Sequence, residues 1–304
     1  MTMSVGILGT GWVGSSVAIS VLHAGFATEL LLTDARAELA EGEAMDLAHG
    51  APFYPSASVR AVPREGLLDT DALVIAAGHN GTPKQSRLEL LAGNAVILRD
   101  IGSALRGYRG IVVVVTNPVD VLTQVVAESS GLPPERVIGT GTMLDTARLR
   151  QTIGEEIDVD PRSVHAQVIG EHGDSEVVLW SSAHVGGVPL REWPGWKPER
   201  EPIIAELVRR AGFEIIRRKG ATNHAIGLVT AGLLRTLLRG ERRIETVSRV
   251  QVGALGFTEV AFSLPTVLDV AGAVHVVAPV LADEEREALE RSAAVLRAAR
   301  GTLG

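Results

Sequence analysis

The chain contains no cysteine. That excludes disulfides, thiolate metal sites and a cysteine nucleophile. No uninterrupted apolar run approaches the ~18 residues that a membrane span needs. The N-terminus, Met1-Thr2-Met3-Ser4, carries no basic residue, so a secretory signal peptide is not expected. Positive charge is in deficit as well. Lys and Arg number 29 against 36 Asp and Glu, a net charge of −7, so the electrostatic footprint of a nucleic-acid binder is missing. There is no internal repeat, low-complexity tract or long linker. What remains is 304 residues, 46% of them hydrophobic. That composition implies a compact, soluble protein, expected in the cytoplasm, with length for about two domains.

Short, almost continuously apolar runs at Ser4–Leu8, Glu29–Thr33, Ala72–Ala77 and Ile111–Thr116 read as parallel strands buried on both faces. Amphipathic segments at Gly14–Ala24, Ala37–Ala48 and Leu88–Leu105 alternate with them. This rhythm implies an α/β fold, a Rossmann-type doubly wound parallel sheet with right-handed crossovers. It fades near residue 145. The second half begins with a helical pattern at Leu144–Ile153. It then mixes strand-like pieces (Val164–Ile169, Arg243–Val250, Val260–Leu264) with helical ones (Pro202–Lys219, His224–Leu238, Asp283–Arg300). The expected division is a dinucleotide-binding domain over 1–143 and an α+β substrate domain over 144–304. Trp193–Pro198 reads as a surface loop.

Gly9-Thr10-Gly11-Trp12-Val13-Gly14 follows the first strand directly and opens a helix. The first glycine permits the tight turn, the second lets a pyrophosphate approach the backbone, and the third lets helix and strand pack closely. The helix N-terminus presents free N–H groups to the phosphates. Asp34 ends the second strand, 20 positions after Gly14. A carboxylate there accepts ribose hydroxyls and repels a 2′-phosphate, which favours NAD over NADP.

Four segments carry groups suited to chemistry. Gly170-Glu171-His172-Gly173-Asp174 sets a histidine between glycines after an apolar strand, and histidine exchanges a proton near neutral pH. The chain has eight histidines, so residue type alone selects nothing. In Leu144-Asp145-Thr146-Ala147-Arg148-Leu149-Arg150, Asp145 and Arg148 share a helix face. An Asp can hold a histidine's second nitrogen, and an Arg can grip a carboxylate bidentately. Arg150 points roughly the opposite way. The polar loop from Gly78 to Arg87 follows a strand at its carboxyl end, where ligands of open α/β sheets bind, and suits a mobile lid. Thr116-Asn117-Pro118 places Asn117 at the same sheet edge.

Together these residues resemble the lactate/malate dehydrogenase family over nearly the whole chain. The likeness rests on Gly9–Gly14, Asp34, Gly42–Leu47, Ala77-Gly78, Ser86–Leu88, Thr116–Asp120, Leu144–Arg148 and Gly170–Glu176. It implies His172 as acid/base, Asp145 as its orienting partner, Arg148 as the substrate-carboxylate anchor and Arg87 as the lid residue polarising the reacting carbonyl. Asn117 would contact substrate and cofactor, with Ala77 and Gly78 beside the cofactor, and Thr222 looks like the family's pocket threonine. The lactate branch is the nearer likeness, which implies reversible hydride transfer between NADH and pyruvate in a homotetramer, with no metal. Arg150 and His165 look like the fructose 1,6-bisphosphate site of allosteric bacterial members.

One position departs from the pattern. Six residues before the lid Arg the family carries its substrate-reading side chain, Gln for lactate or Arg for malate. Here it is Gly81. Malate, or a bulkier 2-hydroxy acid, is therefore the alternative substrate, with Lys84 within reach of a second carboxylate. A non-catalytic NAD-binding sensor is the rival from another class. The joint presence of His172, Asp145, Arg148 and Arg87 argues against it, since a sensor needs none of them together.

Overall fold

The computed structural model describes residues 3–79 and 87–304. Its first half is six strands with helices between them: β1 (Ser4–Leu8), α1 (Trp12–Ala24), β2 (Glu29–Thr33), α2 (Ala37–His49), β3 (Ser58–Ala61), β4 (Ala72–Ile75), α3 (Arg87–Ala104), β5 (Ile111–Val114), α4 (Val119–Ser130) and β6 (Val137–Gly139). β4 and β5, reading Ala-Leu-Val-Ile and Ile-Val-Val-Val, are buried at every residue, as strands covered by helices on both faces must be. The six strands are parallel in the order β3-β2-β1-β4-β5-β6. The order reverses between β1 and β4, which opens a crevice at the carboxyl ends of those two strands. β3 and β6 were not expected. β3 is a short edge strand whose residues alternate between exposed and half-buried, and β6 has only three residues behind a Pro-Pro pair.

The second half holds α5 (Met143–Ile157), the two-residue strands β7 (Val164–His165), β8 (Val168–Ile169), β9 (Val177–Val178), β10 (His184–Val185) and β11 (Val188–Pro189), then α6 (Glu201–Lys219), α7 (His224–Arg239), β12 (Ile244–Val252), β13 (Thr258–Asp269), β14 (Gly272–Val276) and α8 (Asp283–Gly301). The run Val164–Ile169 is not one strand. β7 pairs with β10 and β8 with β9, so the chain changes sheets at Ala166 and Gln167. β12, β13 and β14 are antiparallel and continue the first sheet from β6, giving nine strands across both halves.

Each face of that sheet is a core. Leu98, Leu122 and Leu289 of α3, α4 and α8 pack with Ile75, Val112 and Phe262 on one side. Val17 and Val21 of α1 and Leu233 and Leu234 of α7 pack with Ile7, Val74 and Val113 on the other. A third cluster joins Leu149 and Ile153 of α5 to Ile204 and Val208 of α6. Trp196 belongs to this third cluster, so the stretch Trp193–Pro198 is not wholly a surface loop. Its indole turns inward and its N–H donates to Glu201 at 3.5 Å. Among the described residues no helix is long and apolar enough to cross a membrane.

Candidate active site

The glycine turn sits where β1 meets β4. Gly9 has φ of +99°, and a Cβ on it would lie 2.5 Å from the Ala77 nitrogen. A Cβ on Gly14 would lie 1.9 Å from the Gly9 carbonyl oxygen. Gly11 has nothing within 4 Å on that side, so its backbone is open to a ligand. Val13 follows in the first turn of α1, half-buried against the second core. Asp34 accepts the Thr10 N–H at 2.9 Å and the Arg36 N–H at 3.0 Å. A carboxylate has about four acceptor sites, so room remains for ribose hydroxyls. A tight turn, an open backbone face and an anchored carboxylate fit a dinucleotide.

Hydrogen bonds carry this edge across the sheet. Ala77 and Gly78 lie between the glycine turn and β5, where the Thr116 hydroxyl donates to the Ala77 carbonyl at 2.7 Å. Asn94, buried on α3, accepts the His79 N–H at 2.8 Å and donates to the His79 and Asn117 carbonyls at 3.1 and 3.0 Å. Asn117 itself is exposed at the end of β5 and precedes a cis proline.

Three residues beyond Asn117, the carboxylate of Asp120 accepts the backbone N–H of His172 at 2.7 Å. The ring Nδ1 of His172 lies 2.5 Å from Asp145 Oδ2. The other oxygen of Asp145 accepts from Arg148 Nη1 at 2.9 Å. One carboxylate, 2% exposed, thus holds both the histidine and the arginine. The expected face-sharing of Asp145 and Arg148 is present on α5. With Nδ1 turned to Asp145, Nε2 is the ring nitrogen left for a ligand. Across the loop, Ser292 of α8 accepts the Glu171 N–H at 2.8 Å.

The charges are mutually consistent. The negative charge of Asp145 outweighs burial and raises His172 to about 9, so the ring is protonated at neutral pH. Burial pushes the Asp145 carboxyl up, but His172 and Arg148 more than offset it and hold the group below its ordinary value. Burial raises Asp120 to about 6, against the Ser248 hydroxyl and the His172 N–H. The arrangement can give a proton to an oxygen and hold an anionic group beside it.

The remaining sequence candidates lie apart or undescribed. Thr222 is half-buried between α6 and α7, and its hydroxyl bonds to no other described residue. Its neighbour Asn223 ties this corner to α1 by donating to the Ser16 hydroxyl at 2.9 Å. The Nε of half-buried Arg150 donates to the Ala166 carbonyl at 3.0 Å, one residue past exposed His165. His165 stacks on His184 with ring centres 5.2 Å apart. Gly81 and the side chain of Arg87 lie outside the described residues.

Asp120 and Asn94 were given no role from sequence. A signal existed for Asp120, a carboxylate in an otherwise apolar first turn of a buried helix. None existed for Asn94, whose partners lie 15 and 23 residues away.

A family model described as lactate/malate dehydrogenase, NAD binding domain, matches residues 3–139. A second, lactate/malate dehydrogenase, alpha/beta C-terminal domain, matches residues 142–302. The chain is 44% identical to an L-lactate dehydrogenase of Kosmotoga olearia, covering 98% of this chain and 95% of that one. It is 43% identical to an L-lactate dehydrogenase of Thermus aquaticus, covering 99% and 100%. The fold superposes on the ligand-bound crystal structure of the minor L-lactate dehydrogenase of Enterococcus mundtii with a TM-score of 0.96, at 38% identity and over 100% and 99% of the two chains.

Proposed function

The chain belongs to the lactate/malate dehydrogenase family, and from that premise we propose that it is an NAD-dependent L-lactate dehydrogenase reducing pyruvate reversibly to L-lactate. One observation carries the site reading: Asp145 holds His172 at 2.5 Å with one oxygen and Arg148 at 2.9 Å with the other. Bound NADH supplies the hydride that reduces the carbonyl carbon. Protonated His172 gives its Nε2 proton to the carbonyl oxygen, and Asp145 stabilises the imidazolium until then. Arg148 takes the substrate carboxylate as a bidentate partner. Arg87, at the start of α3, polarises the carbonyl, and Asn117 and Thr222 complete the substrate pocket. Gly9, Gly11, Val13, Gly14, Asp34, Ala77 and Gly78 hold the dinucleotide. The dinucleotide half runs to residue 143 and the substrate half from 144. The enzyme works in the cytoplasm.

Gly81 favours a second reading. With no side chain at the specificity position, a bulkier 2-oxo acid or oxaloacetate has room. Exposed His165, stacked on His184, with Arg150 bonded to the next residue's carbonyl, supports a phosphate-bearing effector, fructose 1,6-bisphosphate. Exposed Trp12, Phe213 and Leu228 support burial in an oligomer, which we take to be a homotetramer. NADH oxidation with pyruvate, oxaloacetate and bulkier 2-oxo acids, each with and without the bisphosphate, tests all of this. Pyruvate preference with activation is the expected result. Preference for oxaloacetate or a bulky acid transfers the substrate to the second reading.

A further inference from the structure

Glu176 is a buried carboxyl that the chemistry above does not use. It lies four residues past His172 at the entry to β9 and is 7% exposed. Its Oε1 is buried without a hydrogen-bond partner among the described residues. The charged groups that face it are Asp145 and Arg148 of α5, His172 of the loop and Arg209 of α6. The Nε of Arg209 is also buried with no partner among the described residues, while its Nη1 holds Glu206 at 2.6 Å. One turn along α6 comes Gly212, where a Cβ would stand 4.0 Å from both terminal nitrogens of Arg148. Glu176 therefore shares its surroundings with the guanidinium assigned to the substrate carboxylate.

An unpartnered buried carboxylate is costly as an anion, and Asp145 already supplies negative charge close by. Burial first, and Asp145 second, push Glu176 up to about 8, against the pull of His172, Arg209 and Arg148. Near pH 7 the group is a neutral acid beside an anchor that has to accept an anion.

We propose that Glu176 is a positioning residue that sets substrate affinity through its proton. Neutral, it leaves the positive field of Arg148 and Arg209 available to the substrate carboxylate. Ionised, with its proton released to solvent, it occupies that field and repels the incoming anion. The proposal rests on the reading of Arg148 as carboxylate anchor.

The test measures KM for pyruvate at saturating NADH from pH 7 to pH 9, in the natural enzyme and in Glu176→Gln. The ratio of the two KM values removes the part of the pH dependence that His172 contributes equally in both proteins. That ratio is expected to rise about tenfold across the range, because only the fraction of enzyme with neutral Glu176 binds. The corresponding ratio of kcat values stays level. A KM ratio constant to within about twofold, or a change confined to kcat, overturns the proposal. Glu176→Met, of similar volume and also unable to ionise, gives the same reading should the amide fail to fold. If pyruvate is not turned over, the substrate assignment fails by itself. The ratio is then measured on whichever 2-oxo acid is used, since only the shared carboxylate enters.

Discussion

At Gly9 and Gly14 the chain is shaped by what cannot be present, since any side chain would strike the backbone within 2.5 Å and 1.9 Å. At His172 it is shaped by what must be present, because two buried carboxylates from other segments hold the ring and its backbone. The first region is built by close approach of backbone, at Gly14 to the turn itself and at Gly9 to Ala77 beyond the neighbouring strand. The second is built by charge across 27 and 52 residues of sequence. A steric site tolerates a change of pH but not of volume. A charged site tolerates small changes of volume but not of protonation.

The largest effect separates the two regions cleanly. His172→Asn keeps a polar side chain but removes the titratable proton, so kcat is expected to fall by about 10³-fold or more while the NADH Kd stays unchanged. Stopped-flow turnover beside fluorescence titration of NADH measures both, and surviving activity sinks the acid/base assignment. Gly14→Ala should do the reverse. Forcing a methyl against the Gly9 carbonyl costs roughly 1–3 kcal/mol, so NADH affinity is expected to weaken about tenfold to a hundredfold, with kcat at saturating cofactor much less affected. Equal losses in both quantities would erase the distinction.

The third effect is a displacement in pH. With His172 as the proposed proton donor, the rate of pyruvate reduction is expected to hold below the raised value near 9 and to be lost as the pH passes it. Asp145→Asn removes the main cause of that rise. The alkaline decline of kcat, read at saturating pyruvate, then moves toward pH 6.5, a loss of about 30-fold at pH 8 that shrinks as the pH is lowered. The NADH Kd of the same variant is expected to remain flat across that range, and a parallel drift would show that the two regions are not independent.

The same contrast explains what could be read in the sequence. The turn Gly9–Gly14 was legible because its shape follows from spacing alone. β1 and β2 were legible end to end because continuous apolar runs have one use in a layered fold. The Asp145–Arg148 pair was legible because a helix brings residues three apart together. The support of His172 by Asp120 was not, since nothing local in either segment points to the other. β3 is too exposed and β6 too short to stand out. Val164–Ile169 has the composition of one strand, but its division is decided by β9 and β10, which come later in the chain.

The nine-stranded sheet has a consequence for anyone who would exchange the halves of this enzyme with those of a relative. Cut after residue 143, the first half would be left with the unpaired edge of β6, an invitation to aggregate. A foreign second half would have to close that edge through the single residue pair Ser248 and Gly139. A Cβ at position 139 would sit 2.4 Å from the Thr123 hydroxyl and 3.1 Å from the Ser248 Cβ. A working chimaera therefore has to rebuild this strand pair, with the glycine that lets the two strands meet, together with the cores that α4 shares with α8 and α1 with α7.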